Sequence, residues 1–329
     1  MIVPKKLQHG DEIRVIAPAQ SLKIVSDECR QIATHYLESL GLKVTFGKHV
    51  MECDLFLSSS VKSRVEDLHA AFVDPQVKGI FTVLGGFNSN QLLEHIDFAL
   101  IAANPKILCG FSDITALQNA IFAKTGLVTY SGPHYSSFGM KLGNKYTKEY
   151  FSHCLFEESS IAVQVSESWS NDAWYLDQEN RSFVPNSGCA VIQPGQANGQ
   201  IIGGNLGTLT LLKGTEFMPS LKNSVLFLEE DALSRRASDV VFDRLLQSLI
   251  HQEDFASVQG IVIGRFEKAA EMTAEKIRAI IHSKTALKNI PVICDADFGH
   301  TTPFFTFPIG GEVSVNATDN QAEIILTKH

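Results

Sequence analysis

Apolar and polar positions in the first part of the chain switch repeatedly between two periods. Residues 12–17 read EIRVIA, an apolar-rich run stopped by Pro18, and predict a strand. Residues 26–39 place their apolar side chains at helical spacing, and 42–46 (LKVTF) return to strand. The rhythm continues with a helix over 63–73, a strand over 79–84 (GIFTVL), a helix near 89–96 and a strand over 106–109. Strands alternating with helices in this way predict an α/β fold with a mostly parallel sheet covered on both faces.

From 157 to 200 the periodicity fades. Ser, Asn, Asp and Gly are frequent, and both tryptophans, Trp169 and Trp174, fall there, as in a domain crossover or a long functional loop. Beyond about 197 the α/β texture returns, with strands at 200–203, 224–228, 260–264, 291–294 and 323–326 and helices at 238–250 and 273–283. The expected division is therefore 1–160 for an N-terminal α/β domain, 161–196 for an interdomain segment and 197–329 for a C-terminal domain. A length of 329 residues fits two domains.

Composition narrows the function classes. With 44% hydrophobic and 19% charged residues the chain reads as a packed globule, not as a disordered or coiled-coil protein. Its formal net charge of −8 has the wrong sign for gripping a nucleic-acid polymer. No apolar run is long enough to span a membrane, and the N-terminus lacks a secretory pattern, so a cytoplasmic address is expected. The six cysteines form no CxxC pair, which predicts reduced thiols without disulfides or zinc.

Four segments carry candidate chemistry. In KILCGFSDITAL (106–117) an apolar strand runs into a helical pattern, and Ser112 stands at the elbow. There its oxygen would be exposed, with the Asp113 amide at a helix start able to receive an oxyanion. The competing reading is an ordinary capping serine, because Ile114 stands where a GxSxG elbow has its second glycine. LGGFNSN (84–90) also follows a strand, and its glycines could add a second amide donor or form only a turn. Neither GxGxxG nor GxxxxGK[ST] occurs, so dinucleotide and P-loop functions drop away. VLFLEED (225–231) sets Glu229, Glu230 and Asp231 at a strand end, where a carboxylate could orient a histidine, hold a metal or simply be solvated. CDADFGHTTP (294–303) puts His300 on a loop after another apolar strand. A serine, a glutamate and a histidine, each just past a strand's carboxyl end, together supply nucleophile, orienter and base.

The segments GDEIRVIAPAQS, LGGFNSNQLL, CGFSDITAL, IIGGNLGTL, LFLEED and DFGHTTPFFTFPIGG resemble, in order and over nearly the whole chain, the LD-carboxypeptidase family of serine peptidases. The resemblance implies amide hydrolysis by a Ser-Glu-His triad, which falls on Ser112, Glu229 and His300, with Glu230 the rival acid. It further implies oxyanion amides at Gly86 and Asp113, a substrate contact at Asn205, a swivelling β/α C-terminal domain and an active site in the interdomain cleft. A homodimer and the absence of any metal or organic cofactor go with it. Two branches of the family are cytoplasmic: muramoyl-tetrapeptide carboxypeptidases and microcin C immunity carboxypeptidases, which act on aminoacyl-nucleotide conjugates. Residues 167–178 (ESWSNDAWYLDQ) resemble the tryptophan-bearing loop of the second branch, with Trp174 as a stacking platform for a nucleobase. That branch is favoured, and a small peptide or an aminoacyl nucleotide is the expected partner. The alternatives are the murein branch, metal-assisted hydrolysis by Glu229, Glu230, Asp231 and His300, and a bilobal protein that binds a small ligand without catalysis.

Overall fold

A computed structural model of the protein describes residues 1–318 and 321–329. The first half gives β1 (Glu12–Ile16), α1 (Asp27–Ser39), β2 (Lys43–Phe46), α2 (Val61–Val73), β3 (Val77–Thr82), α3 (Phe98–Ala103), β4 (Ile107–Gly110), α4 (Thr115–Thr125), β5 (Thr129–Ser131) and α5 (Lys145–Phe156). Local chemistry explains these helices. Ser26 and Ser60 cap α1 and α2 by accepting from the Cys29 and Ser63 amides, and Asp27 and Glu28 complement the dipole of α1. The stripe Cys29, Ala33, Leu37 then faces the core.

The aperiodic stretch is not without structure. It contributes β6 (Ile161–Ala162), β7 (Ser168–Trp169), β8 (Val184–Pro185) and β9 (Ala190–Gln193), each too short to show a period. After them come β10 (Gly195–Asn205), α6 (Leu206–Thr210), β11 (Ser224–Glu229), α7 (Ser238–Ile250), β12 (Gly260–Gly264), α8 (Ala274–His282), β13 (Val292–Ala296), β14 (Phe307–Ile309), β15 (Glu312–Thr318) and β16 (Gln321–Lys328).

The strands form two large sheets. One has the order β14-β5-β4-β3-β1-β2, parallel except for β14, and the other has the order β6-β16-β15-β10-β11-β12-β13-β9 with β10 to β13 parallel. The α/β class read from the periodicity is what the chain adopts. One departure is the helix expected near 89–96, which is a 3₁₀ helix at Ser89–His95. The Asp113 carboxylate accepts from the Asn88 and Ser89 amides and holds this segment in place.

The return of the chain through β14 positions the site. Seven residues after His300 it pairs antiparallel with β5, so the second half of the sequence completes the first sheet. Asn119 in α4 donates to the Gly203 carbonyl at 2.8 Å, and Thr115 Oγ1 accepts from the Asn205 amide at 3.0 Å. These contacts hold the start of α4, just past the carboxyl end of β4, against the carboxyl end of β10.

Candidate active site

Strand β4 is buried along its length, and its last residue, Gly110, pairs with Ser131 of β5. Phe111 is still extended, but Ser112 turns into the left-handed region at φ +60° before the chain enters α4. A non-glycine residue held there costs about 1–3 kcal/mol and persists only where its surroundings enforce it. Here the carbonyl of Gly110 is fixed by the Gln118 side chain and the Gly132 amide, at 2.8 and 3.0 Å. The LGGF turn comes up to the serine because residue 85 is glycine: a Cβ there would lie 3.0 Å from Ser112 Cβ and 3.1 Å from Ser112 Oγ.

His300 meets both partners expected of it. Its Nδ1 lies 2.7 Å from Glu229 Oε2 and its Nε2 3.0 Å from Ser112 Oγ. An ionised carboxylate only accepts, so Nδ1 carries the proton, and Nε2 of the neutral ring is the acceptor for the serine hydroxyl. Burial alone would push the imidazole down. The Glu229 carboxylate, helped by Asp231 and Glu267, outweighs it and raises His300 to about 9. Glu230 does not reach the ring. Its carboxylate accepts from the Gly207 amide at 2.9 Å and from Asn205 Nδ2 at 3.4 Å, and burial beside Glu229 and Asp231 raises it to about 7.

Two amides are expected to receive an oxyanion. That of Gly86 donates to no protein acceptor among the described residues, and that of Asp113 sits in the first helical turn, which has no acceptor of its own. The Asp113 side chain, pushed up from its ordinary value by burial, ties the two turns together. Asn205 is close by, but its Oδ1 caps α6 through the Thr208 amide at 2.9 Å, and its amide group faces Glu230.

Trp174 is half-exposed, packed on the edge of the core and in edge contact with Tyr175 at 6.0 Å. Trp169 lies instead under two cations, Arg265 at 5.0 Å and Lys268 at 5.3 Å. The segment reaches the histidine turn, because Ser170 and Thr302 exchange backbone hydrogen bonds of 2.7 and 2.8 Å.

One residue escaped the sequence reading. His134 is buried under the elbow, its Nδ1 2.7 Å from Thr82 Oγ1 and its Nε2 without a partner among the described residues. Burial, and then the charge on His300, lower it to about 3 and keep it neutral. The Phe111 ring lies between it and His300, at 4.4 and 5.5 Å. The only available signal was the SGPH turn after β5.

Other chemistries find less support in the geometry. Among the described residues no three His, Cys, Asp or Glu side chains converge as a metal site, and all six cysteines are free thiols. No described helix is long and apolar enough to cross a membrane. A groove of about 720 Å³ runs along α5, lined by Tyr146, Tyr150, His153 and Pro303, and does not include Ser112, Glu229 or His300.

Residues 13–132 match the LD-carboxypeptidase N-terminal domain and residues 198–315 the LD-carboxypeptidase C-terminal domain. The chain belongs to the LD-carboxypeptidase family. Membership makes it an enzyme of the serine-type carboxypeptidase class. Among solved structures, the chain is similar to an MccF-like protein from Bacillus anthracis, with 55% identity, full coverage of both chains and a TM-score of 0.99. It is 52% identical to the Bacillus subtilis protein YocD, named as a carboxypeptidase, over 98% of this chain and 99% of that one. It is 33% identical to the microcin C7 self-immunity protein MccF of Escherichia coli, over 97% and 94% of the two chains. A structure of the microcin C7 self-immunity protein MccF in complex with aspartyl sulfamoyl adenosine aligns with a TM-score of 0.88 at 28% identity, covering 100% of this chain and 99% of that one.

Proposed function

We propose that the enzyme hydrolyses an amide bond with Ser112 as nucleophile, His300 as general base and Glu229 as the group that orients the imidazole. The observation that carries this is the line Glu229 Oε2, His300, Ser112 Oγ, with hydrogen-bond distances of 2.7 and 3.0 Å. His300 Nε2 takes the hydroxyl proton as Oγ attacks the carbonyl carbon. The amides of Gly86 and Asp113 receive the oxyanion of the tetrahedral intermediate. The imidazolium then protonates the leaving nitrogen, the C–N bond breaks and an acyl-Ser112 ester remains. Water, deprotonated by His300, attacks that ester and frees the serine. The residues need neither a metal nor an organic cofactor, and a homodimer in the cytoplasm goes with the reading.

For the substrate we favour an aminoacyl nucleotide conjugate. The similarity to MccF and to an MccF-like protein supports it, as does the half-exposed Trp174 on a segment paired with the His300 turn. Stacking on the indole would hold the nucleobase while the aminoacyl amide lies on Ser112. The test is a side-by-side assay of an aminoacyl sulfamoyl adenosine and an L,D-tetrapeptide of murein. The nucleotide conjugate should be cleaved with the lower KM, and Trp174→Ala should cost it about 1–3 kcal/mol in kcat/KM, the range for base stacking on an aromatic ring, while sparing the peptide. Cleavage of the tetrapeptide alone would assign the enzyme to murein recycling. Tight binding of the nucleotide with no hydrolysis of either would turn the site into a ligand-binding one.

A further inference from the structure

The excursion at 166–186 leaves and rejoins the fold at one buried carboxylate. Asp297 Oδ2 accepts from the Ser166 amide at 2.8 Å, and Asn186 Nδ2 donates to both carboxylate oxygens, at 3.0 and 3.1 Å. Asn186 also reaches Ser166 Oγ at 2.9 Å, so the two ends of the segment are joined to each other as well. Between them the antiparallel pair β7 and β8 closes the neck. Arg265 completes the cluster, donating to Asp297 at 3.1 Å, to Asn186 Oδ1 at 2.7 Å and to the Asp295 carbonyl at 2.8 Å. Arg265 and Asp297 are only 6% and 5% exposed, so this is a desolvated ion pair whose remaining lone pairs and protons need such partners.

Asp297 stands three residues before His300, on a turn that does not hold its shape by local preference. Asp295 and Gly299 sit at φ +59° and +107°, outside the regions most residues adopt. A Cβ on residue 299 would lie 3.0 Å from Glu229 Oε2, so the turn is pressed directly onto the acid that orients the histidine. Its support comes from outside: the Phe305 amide bonds the Asp297 carbonyl at 2.8 Å, the Phe304 amide bonds Thr147 Oγ1 at 2.9 Å, and Ser170 pairs with Thr302.

We propose that Asn186, acting through Asp297, is a positioning residue for His300, so that the order of the 166–186 segment and the alignment of the catalytic base are one equilibrium. The segment is then more than a wall of the substrate site: it sets the reactivity of Ser112 toward any acyl donor, including one too small to touch it. This inference rests on the reading of Ser112 and His300 as nucleophile and base, and the experiment separates the two.

The experiment is the second-order rate at which a small alkyl fluorophosphonate inactivates the intact enzyme, followed as the Ser112 adduct by mass spectrometry. Asn186→Ala removes the donors to Asp297 and leaves Arg265 and Asp297 paired. Its inactivation rate should fall by roughly tenfold or more, the scale on which small misplacements of a reacting group act. Limited proteolysis should cut within 170–183, where it spares the wild type. Leu176→Ala, at the exposed tip of the segment, should react at the wild-type rate. Should Asn186→Ala fail to fold, Asn186→Asp keeps the size and the acceptor for Arg265 while replacing the donors, and it should slow the reaction likewise. A variant whose segment is cut freely but whose serine reacts at the wild-type rate would overturn the coupling. A wild-type enzyme that forms no adduct would remove the triad itself, and the coupling with it.

Discussion

Replacing Glu229 by glutamine exchanges a carboxylate 2.7 Å from His300 Nδ1 for a neutral amide of the same shape. Two opposing effects set the imidazole in the wild type: burial, which disfavours the cation, and the negative charge of Glu229, which favours it. The carboxylate wins, and His300 stands at about 9 instead of 6.5. That difference corresponds to roughly 3 kcal/mol of preference for the imidazolium. A general base works only when neutral, so kcat/KM of the wild type should rise with pH along a limb centred near 9. In Glu229→Gln burial is opposed only by Asp231 and Glu267, and the limb should move well below 9 toward 6.5. The plateau should fall by roughly 10⁴, because the amide no longer fixes the tautomer or stabilises the imidazolium formed during attack. Initial rates on the aminoacyl sulfamoyl adenosine, collected from about pH 5 to about pH 10, would give both quantities. A wild-type limb below 6.5, or one that stays in place in Glu229→Gln, would mean that Glu229 does not set the charge on His300.

Three further outcomes follow from the same geometry. The raised pKa of His300 contributes stability that is fully present below about 6.5 and is lost as pH rises through about 9, so the stability advantage of wild type over His300→Gln in urea unfolding should shrink across that window by roughly 3 kcal/mol. Glu230 is raised to about 7 from 4.5, so its ionisation costs stability as pH rises between these values; Glu230→Gln should melt higher than wild type above pH 7 and show no such gain below pH 4.5. Gly85→Ala would set a methyl 3.1 Å from Ser112 Oγ, and it should lower kcat at least tenfold on the scale of small misplacements, with the melting temperature nearly unchanged.

Much of the site was legible because open α/β sheets collect their functional groups at the carboxyl ends of strands. Ser112, Glu229 and His300 could each be assigned to such an end from a local apolar run, and the LGGF turn likewise. The rest depends on contacts between distant parts of the chain. The pairing of β14 with β5 joins residues near 308 to residues near 130, and no local period encodes it. The edge strands β6 and β9 have two and four residues, no more than two full alternations. In β15 buried Val313, Val315 and Ala317 alternate with the polar Ser314 and Asn316, a weaker apolar signal than the strand at its C-terminal side. His134 and Asp297 take their meaning only from neighbours in space, Thr82 and Phe111 for the first, Ser166, Asn186 and Arg265 for the second. The distinction between Glu229 and Glu230 is of the same kind: adjacent residues on a strand end point to opposite sides, and only the folded chain shows which side holds the histidine.

The proposed reaction stands or falls with Ser112 as the nucleophile. Turnover of the aminoacyl sulfamoyl adenosine by Ser112→Ala, measured beside the wild type under single-turnover conditions and with melting temperatures in hand, tests it most directly. The expected result is a loss of roughly four to six orders of magnitude in kcat with the melting temperature preserved, the residual rate coming from the oxyanion amides and binding alone. A Ser112→Ala enzyme that folds and turns over within tenfold of the wild type would contradict it.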